Sequence, residues 1–190
     1  MKKMRLVALQ VLVVLSVFSC ALLDKIISGQ EESIFALKSQ IVSMKFEVSK
    51  QGNNEMLVSY AFYNLSGQKL GLSQTVKLRG SELFIDCRVE RLNSKYSIVF
   101  PYAFYSNIIS ASEGRVIVND YKNSSGYPGI FEGVNYSEKR KIQKLYDGIL
   151  NNKPTKHSFR SSPHIVIRPN KTGYKLVSRV RGGIEILKSE

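Results

Sequence analysis

Val42-Ser43-Met44-Lys45-Phe46-Glu47-Val48 sets the character of the fold. Val42, Met44, Phe46 and Val48 occupy every second position, with Ser43, Lys45 and Glu47 between them. A period of two describes a strand with one buried face and one wet face. Gln51-Gly52-Asn53-Asn54 then turns the chain into a second apolar run, Met56–Asn64. Working outward, similar runs cover Thr75–Arg79, Glu82–Leu92, Lys95–Phe100 and Arg115–Asp120, divided by Gly80-Ser81, Asn93-Ser94 and Ser112-Glu113-Gly114. Breaks at this spacing suit an antiparallel meander, a sandwich or a small barrel.

One helix interrupts the strands. Ser137–Leu150 places Ile142, Leu145, Tyr146 and Ile149 on one helical stripe, with Asn135 or Ser137 available as N-cap. Lys139, Arg140, Lys141 and Lys144 fall off that stripe. Three more strands are expected at His164–Arg168, Tyr174–Arg181 and Ile184–Lys188. Gly182-Gly183 reads as a two-residue hairpin turn between the last two. That turn would put Ile184 and Ile186 on the same face as Arg179 and Arg181, which conflicts with a one-sided core. The fold class is α+β, mostly antiparallel β with one amphipathic helix.

Charge is unevenly spread along the chain. The whole carries a net +13, but residues 20–136 hold 12 Lys/Arg against 11 Asp/Glu, and residues 137–190 hold 13 against 4. Lys175, Arg179 and Arg181 share one face of the expected strand, and Arg160, Arg168 and Lys171 lie close in sequence. A single-sign surface attracts polyanions. The candidate anion contacts are therefore Arg168, Lys175, Arg179 and Arg181, supported by the helix bases Arg140, Lys141 and Lys144.

The N-terminus decides the compartment. Lys2, Lys3 and Arg5 precede the apolar run Leu6–Phe18, and Ser19-Cys20-Ala21 follows. A positive segment, an apolar segment and a small-residue exit make up a secretory signal. Val17-Phe18-Ser19-Cys20 resembles the lipobox of bacterial lipoproteins. The resemblance implies cleavage before Cys20, lipidation of Cys20 and an extracytoplasmic, lipid-anchored location at the cell membrane. Cleavage after Ala21, giving a periplasmic or secreted chain, and retention of Leu6–Leu23 as an anchor stay open. Residues 1–19 are then the signal, 20–33 a tether, and 34–190 a single β-rich domain. With Cys20 used for the anchor, Cys87 is the one remaining thiol, so neither a disulfide framework nor a Cys-based metal site is expected. Its place among Leu83, Ile85 and Val89 reads as a core position.

Catalytic signals are weak. The two histidines, His157 and His164, form no metal-ligand pair, and no cofactor motif occurs. Ser66-Gly67-Gln68-Lys69 and Lys171-Thr172-Gly173 match box spacings of penicillin-binding enzymes, but Ser66 falls in a turn where that family needs a helix. Four Asn-x-Ser/Thr sequons, at Asn64, Asn123, Asn135 and Asn170, read as incidental in a bacterial chain. Tyr60-Ala61-Phe62-Tyr63-Asn64 recurs as Tyr102-Ala103-Phe104-Tyr105-Ser106, aromatics expected mainly in the core, and Pro101 marks an edge or bulge. The leading function is a non-enzymatic envelope module that holds an anionic lipid, an anionic polysaccharide or an acidic protein. The alternatives are a carrier of a lipid or other apolar ligand, and a hydrolase using Ser66, His157 or His164. Nucleic acid is disfavoured by the location.

Overall fold

The computed structural model describes residues 41–190 apart from 53, 93–96, 154, 169, 180–182 and 190. The signal segment, Cys20, the tether and Arg181 lie outside the described residues. Ten strands appear among those described: β1 (Ile41–Gln51), β2 (Glu55–Tyr63), β3 (Lys69–Arg79), β4 (Glu82–Arg91), β5 (Ser97–Ser106), β6 (Arg115–Val116), β7 (Ser158–Ser161), β8 (His164–Val166), β9 (Thr172–Ser178) and β10 (Ile184–Lys188). The helix α1 spans Tyr136–Leu150, and short 3-10 turns cover Val118–Tyr121 and Gly129–Phe131. The strands form two antiparallel sheets. One has the order β10-β9-β1-β2-β3, and the other β6-β5-β4-β7 with β8 also paired to β4.

The alternation in β1 holds from Met44 to Val48, with Met44, Phe46 and Val48 buried and Lys45 and Glu47 exposed, but a register shift between Val42 and Met44 leaves Val42 half-buried and buries Ser43. Paired residues on neighbouring strands share a face, so Phe46 meets Tyr60 on one side and Tyr174 on the other. This inner face packs on the second sheet, with the Tyr60 ring 5.0 Å from that of Phe104. Ile85, Cys87 and Val89 of β4 point the same way as Phe104 and are fully buried. Each such aromatic or aliphatic burial contributes about 1.5–3 kcal/mol.

The opposite face of the second sheet carries Phe84, Asp86, Arg88 and Glu90 with their partners Phe100 and Ile98. Part of it is covered by α1. Phe100 lies 5.9 Å from Tyr146 and 5.1 Å from Phe131, and Ile142, Tyr146 and Ile149 are buried beneath the helix. Asn135 caps α1 by accepting from the Glu138 N–H at 3.0 Å. The Tyr146 hydroxyl donates to the Val118 carbonyl at 2.7 Å, and the Tyr121 hydroxyl to the Pro101 carbonyl at 2.9 Å. Both phenol hydroxyls are thereby satisfied inside the core.

Several expectations need correction. Arg115–Asp120 is only a two-residue strand followed by a 3-10 turn, because Tyr121 must swing inward to reach Phe62 at 4.7 Å. β5 runs through Pro101 to Ser106, absorbing the proline with a bulge at Tyr102. β3 begins at Lys69 rather than Thr75, and β7 went unpredicted. Gly182 lies outside the described residues, but the connection it belongs to is longer than the expected two residues. β9 ends at Ser178, Ile184 pairs with Ser178, and the Arg179 N–H donates to the Gly183 carbonyl at 2.7 Å. This register sets Ile184 and Ile186 beside Ser178 and Leu176, on the core side, and removes the conflict with Arg179. Arg179 lies just beyond the end of β9, and its guanidinium pairs with Glu185, which stands on the same face of the sheet as Lys175.

Candidate functional site

The predicted basic residues do not form one patch. Arg140, Lys141 and Lys144 are exposed on α1, which lies against the second sheet. Lys175 stands on the face of the first sheet turned away from that layer. Arg168 is exposed just beyond β8, and Arg179 pairs with Glu185 at 2.8 Å. A basic stretch of sequence has been divided between opposite sides of the sandwich.

Lys175 has company that the sequence did not reveal. It sits directly opposite Lys45 in the β1–β9 register. Like charges at opposed positions are unfavourable, so an unneutralised pair needs a reason. Across the sheet, Lys45 rests 4.7 Å from the centroid of the Tyr63 ring, and Tyr63 is paired with Lys69 on β3. Lys69 donates to the Ser73 hydroxyl at 2.8 Å. Among the described residues none of Lys45, Lys69 and Lys175 takes part in an ion pair. The carboxylate that borders this part of the face, Glu47, is bound to Lys171 at 2.7 Å.

Small residues turn this face into a groove of about 500 Å³. Gly173, Ala61 and Ser59 supply low side chains, while Lys45, Lys175, Tyr63, Ser73 and Ser189 also line it. Ammonium groups, hydroxyls and one aromatic face suit a phosphate- or carboxylate-bearing ligand.

A second opposed cation pair, Arg88 and Arg160, borders a cleft of about 430 Å³ between β4, β7 and the end of α1. Here the electrostatics differ. Arg88 lies 4.4 Å over the Tyr102 ring and 3.5 Å from the buried Asp86 carboxylate. Burial pushes the Asp86 carboxyl up, and Arg88 and Arg160 draw it back down. Glu90, also buried, accepts from the Thr155 hydroxyl at 2.8 Å and from Ser158. Two carboxylates thus accompany two guanidinium groups, and the cluster is balanced.

The catalytic candidates are occupied elsewhere. Ser66 donates to the Asn64 side chain within a turn, and Lys69 bonds Ser73 rather than Ser66. His164 stacks on Phe84 at 4.9 Å, and His157 is exposed in a loop. Cys87 is buried and burial pushes its thiol up, so it is held protonated. Among the described residues no three of His, Cys, Asp and Glu converge as metal ligands, and no helix is long and apolar enough to cross a membrane. No family model, curated protein or solved structure matches the chain.

Proposed function

We propose that this chain is an envelope-tethered, non-enzymatic binding module that holds an anionic envelope component against the outer face of its first sheet. The Cys20 lipobox resemblance supports the tether and the extracytoplasmic location. The observation that carries the binding role is the opposed pair Lys45 and Lys175, without an ion-pair partner among the described residues, above a groove of small side chains. A sheet that served only to stay soluble would gain by making one of them acidic.

The test uses residues 37–190, the unit that contains the whole described core. Its binding to dextran sulfate, with neutral dextran as control, is measured across a salt series. The double reversal Lys45→Glu/Lys175→Glu is expected to abolish the salt-sensitive binding. Arg140→Glu/Lys141→Glu changes the net charge equally, on α1, and is expected to leave most of it. Equal loss in both variants would mean that net charge, not this face, governs binding.

A further inference from the structure

We propose that the Gly71-Leu72-Ser73 excursion of β3 is a membrane-contact tip, which places Leu72 among the acyl chains of an anionic bilayer while Lys45, Lys69 and Lys175 meet its phosphates. The inference rests on the reading of this face as anion-binding and names the partner as a lipid surface.

The excursion is a defined piece of structure. The β2–β3 register runs to Tyr60 opposite Gln74 and resumes at Phe62 opposite Leu70. Ala61 alone therefore faces Gly71, Leu72 and Ser73. Gly71 has φ +61°, in the left-handed region that favours glycine, and makes the departure from the strand possible. Lys69 bridges the base of the excursion to Ser73 at 2.8 Å. Leu72, 88% exposed, stands at the middle of the excursion and is the most exposed large apolar side chain described.

A bulge on an edge strand discourages pairing with other chains, and any residue would serve there. A leucine gains nothing from water, and nothing from a hydrated anionic glycan. It gains from acyl chains. Its place is also specific, because Ser73 lines the lysine groove and Lys69 faces Tyr63, whose ring carries Lys45. An apolar point at the edge of a sheet whose same groove-bearing face carries three ammonium groups, none with an ion-pair partner among the described residues, matches the two requirements of an interfacial contact, apolar burial and attraction to anionic headgroups. A lipid anchor at Cys20 would hold the domain within reach, so that even a weak contact would fix its orientation.

The chain contains no tryptophan, so Leu72→Trp installs a single one, which can be excited at 295 nm apart from the ten tyrosines. The full chain carrying it is reconstituted into phosphatidylglycerol-rich vesicles and into pure phosphatidylcholine vesicles, with and without brominated acyl chains. A blue-shifted, bromine-quenched emission is expected in the anionic vesicles, lost in neutral vesicles and lost again in the Lys45→Glu/Lys175→Glu background. Unquenched emission in both vesicles, with dextran sulfate binding through Lys45 and Lys175 intact, overturns the membrane tip and leaves the anion groove standing. Equal quenching in both vesicle types also overturns it, since docking would then not depend on the lysines. Loss of dextran sulfate binding through the lysines as well would remove both readings.

Discussion

Lys45→Glu should make the protein slightly more stable and much weaker at binding. The substitution replaces an opposed ammonium pair with an ammonium–carboxylate pair, the introduced carboxylate facing Lys175. Relief of like-charge repulsion and gain of an attractive cross-strand pair are each worth roughly 0.2–1 kcal/mol. Against this, the contact of Lys45 with the Tyr63 ring is lost, at about 0.5 kcal/mol for an exposed cation over an aromatic face. The net gain is about 0.5 kcal/mol, or roughly 1–2 °C in Tm for a domain of this size. The gain should fade near 1 M salt, where the screening length falls to about 3 Å. Binding moves the other way. One attraction of about 1 kcal/mol becomes a repulsion of similar size, and affinity for an anionic surface should fall roughly 30-fold. Thermal melts at low and high salt, paired with the binding series, read both effects. A lower Tm that ignores salt would show that the two ammonium groups do not feel each other. Unchanged affinity would show that the face is not the contact.

Alkaline pH should unfold the protein abruptly. Burial raises the phenols of Tyr60, Tyr121, Tyr127 and Tyr146 above their ordinary 10.0, and the Cys87 thiol above its ordinary 9.0. The stability tied to their protonated forms is complete below the unfolded-chain values and is lost as the pH climbs from there toward the raised folded values. Each group should contribute a slope of about 1.4 kcal/mol per pH unit in that window, so a urea midpoint flat between about pH 9 and 11 would contradict the burial of these side chains. Asn64→Ala and Asn123→Ala should each cost about 1–2 kcal/mol in urea denaturation, because each removes one oxygen that accepts from three donors. Asp at position 64 keeps the acceptor and should recover most of the loss, whereas Asp at position 123 should not, because the Asn123 amide donates to the Glu132 carboxylate at 2.8 Å and a second carboxylate there would repel it.

Those two asparagines show how much of the fold was legible and where the reading stopped. Asn64-x-Ser66-Gly67 and Asn123-x-Ser125-Gly126 form the same turn: the Asn oxygen bonds the serine N–H and hydroxyl, and the glycine takes φ +77° or +79°. Asn135 makes a third local motif as the cap of α1. Three of the four sequons are thus backbone chemistry, and the repeated Asn-x-Ser-Gly was visible in the sequence as a turn signal. Strands with clean alternation, β1, β2, β4 and β10, were legible almost to their ends. β5 was expected to stop before Pro101, and β3 to start only at Thr75, whereas both run on through bulges, which let a strand continue past residues that normally end it. β7, Ser158-Phe159-Arg160-Ser161, carries too few apolar residues to announce a strand and exists because β4 offers it an edge.

The candidate site was half legible, for a reason that lies in topology. Lys175 stood out because it belongs to a basic stretch, whereas Lys45 looked like an ordinary wet-face residue of β1. Their meeting depends on β9 returning from the far end of the chain to lie beside β1, and no local pattern encodes that. The same return places β9 on one sheet while α1 packs on the other, so a charge excess read along the chain overstates the charge on either surface. What separates the two opposed cation pairs is therefore local. Arg88 and Arg160 come with Asp86 and Glu90 buried beside them, and their repulsion is answered within the fold. At Lys45 and Lys175 the nearby Glu47 is committed to Lys171, and no carboxylate among the described residues pairs with either lysine. An external anion that stabilises the folded chain should do so through these two lysines, and Lys45→Glu should cancel that stabilisation while raising the stability of the unliganded protein.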